Sequence, residues 1–400
     1  MEQKKKIWLS LAHMGGKEET FIHEAFLTNW VVPLGPNVDA FERSLEKYLH
    51  IEEGRIVALS SGTAALHLAL IQLGIAPGDF VLCQSFTFSA SANPIAYLGA
   101  TPVFIDSECD TWNMSPIALE KGIEFVQDTY GKLPKAIIPV HLYGMPANMR
   151  EILEVANRYG IPIVEDSAEA LGSKFEDRYC GTFGTFGAIS FNGNKIITTS
   201  GGGALICPSV EVRNQVLNLA TQARDNAPYY QHSKIGYNYR LSNVSAGIGR
   251  GQMLVLDDHI ARRKAIRSFY EQQLGDIDGI SFQKNPSLEY DSIYWLTTML
   301  IDSKITGVTP EILRRGLEEE EIESRPLWKP MHLQPVFSKS PFIDSHMKVH
   351  EGQDSERQLI NSNSVSEQIF DQGLCLPSGS SLTDEDLMRV VNTVKRLIRK

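Results

Sequence analysis

The chain has 400 residues, 42% of them hydrophobic and 22% charged, and a formal net charge of −10. That length exceeds one ordinary domain, and that composition is the one globular chains have. The acidic balance argues against a general nucleic-acid binder, and no stretch has the length and apolarity of a membrane span.

Met1-Glu-Gln-Lys-Lys-Lys6 is not followed by an adequate apolar run, so no secretory signal is expected. Seven short apolar runs then punctuate the first 225 residues. Ile56–Leu59, Phe80–Cys83, Pro102–Ile105, Ala136–Val140, Ile161–Val164, Ala188–Phe191 and Ala204–Cys207 read as strands buried on both faces. Helical patterns lie between several of them. One runs from Thr63 to Leu73 and stops at Gly74; another runs from Met149 to Tyr159 and stops at Gly160. A third opens at Ser115-Pro116, a cap followed by proline at the first helical position. This alternation predicts an α/β fold with a mostly parallel sheet between helices. In such sheets ligands sit at the carboxyl ends of strands.

The pattern changes near Ser242. Amphipathic stretches over Ala246–Leu256 and His259–Leu274 lead the chain out of the sheet. Ile293–Ile301 reads as a strand and Pro310–Glu320 as a helix. Asp344–Ser366 reads as a loop. A final helix from Thr383 begins with acids and ends with bases, matching the helix dipole. The expected division is a large α/β domain, 1–245, and a smaller α+β domain, 246–400. Five cysteines, Cys83, Cys109, Cys180, Cys207 and Cys375, include no Cys-x-x-Cys pair. They suit a reducing compartment, and the expected location is cytoplasmic.

Three features point to one chemistry. Lys195 lies between an apolar run and the triple glycine Gly201–Gly203; Asp166 ends a strand 29 positions earlier; Ser60-Ser-Gly-Thr63 opens a helix. An amine forms a Schiff base with an aldehyde, a carboxylate keeps a pyridine nitrogen protonated, and a helix N-terminus with hydroxyls binds a phosphate. Pyridoxal phosphate needs all three. Histidines and acids show no metal-ligand spacing, so no metal is expected. Glu165 and Asp166 are strand neighbours pointing to opposite faces, which excludes a glycosidase pair.

Ser60–Leu66, Ser85–Phe88, Glu165–Gly172, Ser190–Lys195 and Gly236–Asn243 resemble the DegT/DnrJ/EryC1/StrS family of sugar-nucleotide aminotransferases. The resemblance runs from about Ser10 to the C-terminus. Asn192–Gly203 and Arg325-Pro-Leu-Trp-Lys-Pro-Met-His332 look most like the branch that makes UDP-N-acetylbacillosamine precursors. It implies the fold of type I pyridoxal-phosphate transferases and a homodimer with shared active sites.

The resemblance also implies roles. Lys195 carries the cofactor as an internal aldimine and transfers the proton, and Asp166 pairs with the pyridinium. Gly62, Thr63 and Ser190 bind the phosphate, Phe88 stacks on the ring, and Asn238 reaches the phosphate of the neighbouring subunit. Glu169 stands where relatives commonly place His or Gln; a carboxylate beside the phenolic oxygen repels it unless protonated or turned away. Arg325, Trp328, Lys329 and His332 are expected at the sugar-nucleotide site. His141 ends a strand and is expected to be packed. The implied reaction is ping-pong transfer of an amino group from L-glutamate to C4 of a UDP-linked 4-keto-6-deoxy sugar. A sugar dehydratase of the same fold carries histidine in place of Lys195. A cofactor- or sugar-nucleotide-binding regulator would be expected to add a DNA-binding segment or basic stripe, which this chain lacks.

Overall fold

The computed structural model describes residues 5–346, 348–350 and 364–398. Seven strands form the large sheet: β1 (Ile56–Leu59), β2 (Phe80–Gln84), β3 (Thr101–Ile105), β4 (Ala136–Ile138), β5 (Val164–Asp166), β6 (Phe186–Ser190) and β7 (Gly203–Ile206). Each lies within a few residues of an apolar run read from the sequence. β3, β2 and β4 pair in parallel, as do β5 and β6, and parallel bridges at Ile137–Ile163 and Val140–Asp166 link β4 to β5. β7 alone runs against both neighbours, β6 and β1. The reason is local: β6 and β7 are arms of one hairpin, and the connection between them carries Lys195.

Alternation along the strands sorts side chains to two faces. Val81 and Cys83 face the helices Gly62–Gln72 and Val210–Ala220, whereas Leu82 faces Pro116–Tyr130 and Met149–Tyr159. Ser61, Ser115 and Asn148 cap three of these helices by accepting a backbone N–H three residues on. Gly160 ends one of them in the left-handed conformation, φ 66°.

The later chain builds a second, antiparallel sheet in the order Ile280–Phe282, Thr297–Ile301, Gly373–Leu376, Arg325–Pro326. Helices Leu256–Leu274, Pro310–Glu318 and Asp384–Ile398 pack on it. Ile7 bridges Ile322 and so joins the early chain to this unit. In the other direction, Phe342–Ile343 pairs in parallel with β3 and extends the large sheet.

Two readings need correction. The run Ile293–Ile301 is not one strand: pairing begins at Thr297, and Tyr294 adopts φ 48°, bending the preceding residues toward the Lys195 connection. Nor is Asp344–Ser366 all loop. Val349–His350 pairs with Phe342–Ile343, and a helix begins at Val365, its N-terminal N–H groups held by buried Asp106. Residues 351–363 of that stretch lie outside the described residues.

One contact fixes the site. Gly203 pairs with Leu59 on one side and Ser190 on the other, beneath the start of the helix Gly62–Gln72. A Cβ on Gly203 would lie 2.4 Å from the backbone nitrogen of Gly62. Gly203→Ala is therefore expected to push the helix start off the sheet and cost about 1–3 kcal/mol, the usual range for overpacking. Denaturant unfolding checks this; an unchanged midpoint would refute the assigned close approach.

Candidate active site

β5 delivers Asp166 to the carboxyl end of the sheet. Its backbone is held by Pro139 and His141, and its side chain is 5% exposed. Oδ2 accepts from Ser91 Oγ at 2.6 Å and Oδ1 from the Ala168 N–H at 3.1 Å. A carboxylate has about four acceptor sites, so capacity remains for one more donor from the cavity. Glu165 points the other way, as strand alternation requires. It accepts from His141 Nε2 at 2.9 Å and from the backbone of Gly181. His141 is fully buried, and its Nδ1 accepts from the Ala147 N–H. It is packed, as expected, and braces the strand end.

The cavity above Asp166 has a volume of about 370 Å³. Gly62, Thr63, Phe88, Asp166, Ser190, Lys195 and Trp328 all line it. The helix beginning at Gly62 presents its N-terminus there, beside the Ser190 hydroxyl. Phe88 is half-exposed, with its ring centroid 5.3 Å from that of Trp328. The donor set fits pyridoxal phosphate: an amine, a carboxylate with spare acceptor capacity, and a helix N-terminus ringed by hydroxyls.

Lys195 Nζ lies 3.4 Å from Glu169 Oε1 and 4.1 Å from the centre of the Trp295 ring. Glu169 is turned partly away from the cavity, because Oε2 accepts from the Tyr143 N–H at 2.7 Å. Burial pushes its carboxyl above the usual range; Lys195 and the Tyr143 N–H oppose that shift without cancelling it. Tyr143 itself stacks at 12° between the planes of Trp295 and Trp328, and its hydroxyl accepts from the Trp328 N–H.

The other expected residues lie elsewhere. Asn238 is exposed, outside this cavity of its own chain. Arg325 pairs with Glu323 at 2.8 Å and lines a separate cavity with Lys6 and Trp8. Lys329 is exposed. His332 is turned inward, bonded to Ser85 Oγ at 2.6 Å and Glu367 Oε1 at 2.9 Å. Trp295, Tyr143 and Ser91 were missed. Trp295 was hidden inside an apolar run, and its tryptophan identity was the one available signal.

The profile of the DegT/DnrJ/EryC1/StrS aminotransferase family matches residues 13–395. The chain belongs to that family. The aminotransferase is 47% identical over 393 residues to EpsN of Bacillus subtilis (strain 168), which is named as a candidate pyridoxal phosphate-dependent aminotransferase; the match covers 98% of this chain and 96% of EpsN. It is 34% identical over 379 residues to the GDP-perosamine synthase of Escherichia coli O157:H7, covering 95% of each. Among solved structures, the aminotransferase TlmJ from Streptoalloteichus hindustanus superposes with a TM-score of 0.86 at 27% identity, covering 99% of both chains. The protein is a pyridoxal-phosphate-dependent sugar aminotransferase with the fold of type I transferases. Among the described residues, no helix is long and apolar enough to cross a membrane.

The burial of Glu169 has a pH consequence. An unfolded glutamate titrates near 4.5, and in the fold Glu169 keeps its proton to higher pH. The folded state thus binds more protons in that interval. The group's contribution to stability is complete below pH 4.5 and is lost as pH rises through the folded value. Glu169→Gln retains the oxygen facing Tyr143 without the charge. Its melting temperature relative to wild type is expected to climb as pH is raised from 4.5 toward neutrality. A difference that stays constant or falls with pH would reject the assigned burial cost.

Proposed function

We propose that this enzyme transfers an amino group from L-glutamate to C4 of a UDP-linked 4-keto-6-deoxy sugar. The convergence of Lys195, Asp166 and the Gly62–Thr63 helix start on one cavity carries this reading. Pyridoxal phosphate, when bound, supplies an aldehyde and an electron-withdrawing ring. Asp166 holds the ring-nitrogen proton, because an adjacent opposite charge favours the charged form. Gly62, Thr63 and Ser190 hold the phosphate. Lys195 Nζ carries the proton between itself and the reacting carbon, first of glutamate and then of the sugar. When its amine is free, the Glu169 carboxyl group and the Trp295 ring give it a defined resting place.

The flat parts of the sugar nucleotide are proposed to lie against Phe88 and Trp328, whose rings both line the cavity. Arg325, exposed on the edge strand Arg325–Pro326, and Lys329, exposed on the loop that follows it, are proposed to meet its diphosphate from outside. His332 is proposed to act from beneath, holding this loop to Ser85. The identity to EpsN supports pyridoxal-phosphate-dependent amino transfer, and that to the GDP-perosamine synthase supports a nucleotide-sugar reading while making GDP the competing nucleotide. The four buried free thiols suit work in the cytoplasm.

Lys195→Ala is expected to lower turnover by about 100- to 10,000-fold, the range for loss of a positioned proton carrier. It is also expected to abolish the visible absorption of lysine-bound cofactor, which glutamate bleaches in wild type. Retained absorption in the variant would reject the lysine assignment. A panel of UDP-, dTDP- and GDP-linked 4-keto sugars tests the nucleotide: preference for GDP would overturn the UDP reading.

We also propose a homodimer in which Asn238 completes the partner's site. Asn238 is exposed on a segment with Tyr229, Tyr230 and Ile235, all exposed, and the apolar Phe26 and Leu27 are exposed as well. Lys195→Ala and Asn238→Ala proteins, each impaired alone, are expected to regain activity when mixed, because one site of the mixed dimer is intact. No recovery on subunit exchange would reject the shared site.

A further inference from the structure

Arg263 is 1% exposed, yet it has no carboxylate partner among the described residues. Burial alone pulls its guanidinium down to about 9, so it is still charged at neutral pH. Nη1 donates to the Trp295 carbonyl and Nη2 to Ser10 Oγ at 3.0 Å, while Nε has no hydrogen-bond partner. A buried charge without a counterion is unfavourable for folding, and cores normally avoid it. Its two acceptors share a further target. The Trp295 indole N–H and the Ser10 hydroxyl both donate to the carbonyl of Asn194, at 2.8 and 2.9 Å. Asn194 immediately precedes Lys195.

The other flank of Lys195 is held by the same helix. His259, one turn before Arg263 on Leu256–Leu274, donates from Nδ1 to the Ile196 carbonyl at 3.3 Å and stacks on His13. Both carbonyls beside the lysine are therefore held, that of Ile196 directly by His259 and that of Asn194 by Ser10 and Trp295, the two residues Arg263 binds. The Trp295 ring that rests 4.1 Å from its Nζ has its own backbone tied to Arg263.

We propose that Arg263 is a positioning residue, which fixes the reactive lysine through Ser10 and Trp295 at the expense of stability. The inference rests on the proposed role of Lys195. A structural arginine and a positioning arginine predict opposite results on replacement by an apolar side chain of similar length. A structural one loses stability. A positioning one leaves stability unchanged or raises it, because the uncompensated charge is gone, and loosens the lysine.

The test uses Arg263→Met and Ser10→Ala in the full chain. Melting temperature is read first. Acylation of Lys195 by an amine-directed reagent is then followed in the cofactor-free protein by peptide mass spectrometry, and amino transfer in the loaded enzyme. For Arg263→Met the expected result is a melting temperature no lower than wild type, Lys195 acylation at least three-fold faster and turnover about ten-fold lower. Ser10→Ala is expected to move acylation and turnover the same way by less. If Arg263→Met melts earlier and Ser10→Ala acylates at the wild-type rate, Arg263 is structural and the inference falls. Wild-type rates in both variants overturn it equally. Borohydride reduction of wild-type enzyme with cofactor separates the two layers. Label on a residue other than Lys195 overturns the proposed function, whereas label on Lys195 with unaltered variants overturns this inference alone.

Discussion

The site depends on one steric constraint, the contact of the Gly62 helix start with the backbone of Gly203. Gly203 is the point where β1, β7 and β6 meet in register, so a single residue sets the distance from the helix N-terminus to Ser190. An anion-binding helix end works only over the last turn, where its N–H groups point outward. Moving that end by the radius of a methyl group would take its donors out of hydrogen-bond reach. The sheet therefore does more than scaffold the site; its register is the ruler by which phosphate donors and lysine are spaced.

Around that frame the charges are unevenly compensated. Asp166 has its polar partners in place and retains acceptor capacity toward the cavity. Glu169 is divided between a backbone N–H and an amine, with burial favouring its neutral form. A carboxyl group so buried, with one oxygen turned to the Tyr143 N–H, repels a neighbouring oxygen anion less than an exposed carboxylate would. The aromatic layer of Trp295, Tyr143 and Trp328 supplies the low-polarity wall against which these few charges act strongly.

Much of the sheet was legible because its signals are local. Seven apolar runs mark seven strands, and Ser115-Pro116 and Gly160 mark a helix start and a helix stop where the structure has them. Lys195, Asp166 and the Gly62–Thr63 turn were legible because each combines an unusual residue with an element boundary. What escaped is what tertiary structure decides. The antiparallel course of β7 follows from a hairpin whose length does not announce its direction. Tyr294 takes a left-handed conformation that no residue beside it demands, and Trp295 becomes a site residue by that bend. Arg263 sits in an amphipathic helix where an arginine ordinarily faces water. His332 shares a loop with exposed Lys329, and only packing distinguishes the one that turns in.

The return of Phe342–Ile343 to the edge of β3 bears on how the chain is made. β3 is complete at residue 105, but the strand that covers its edge is synthesised more than two hundred residues later. At ribosomal speeds of about 5–20 residues per second, the gap lasts on the order of ten to fifty seconds. During that time an apolar parallel strand offers unpaired backbone groups to any other nascent chain. Fidelity of synthesis for this protein is thus set at a sheet edge far from its chemistry, in competition between late self-closure and early association.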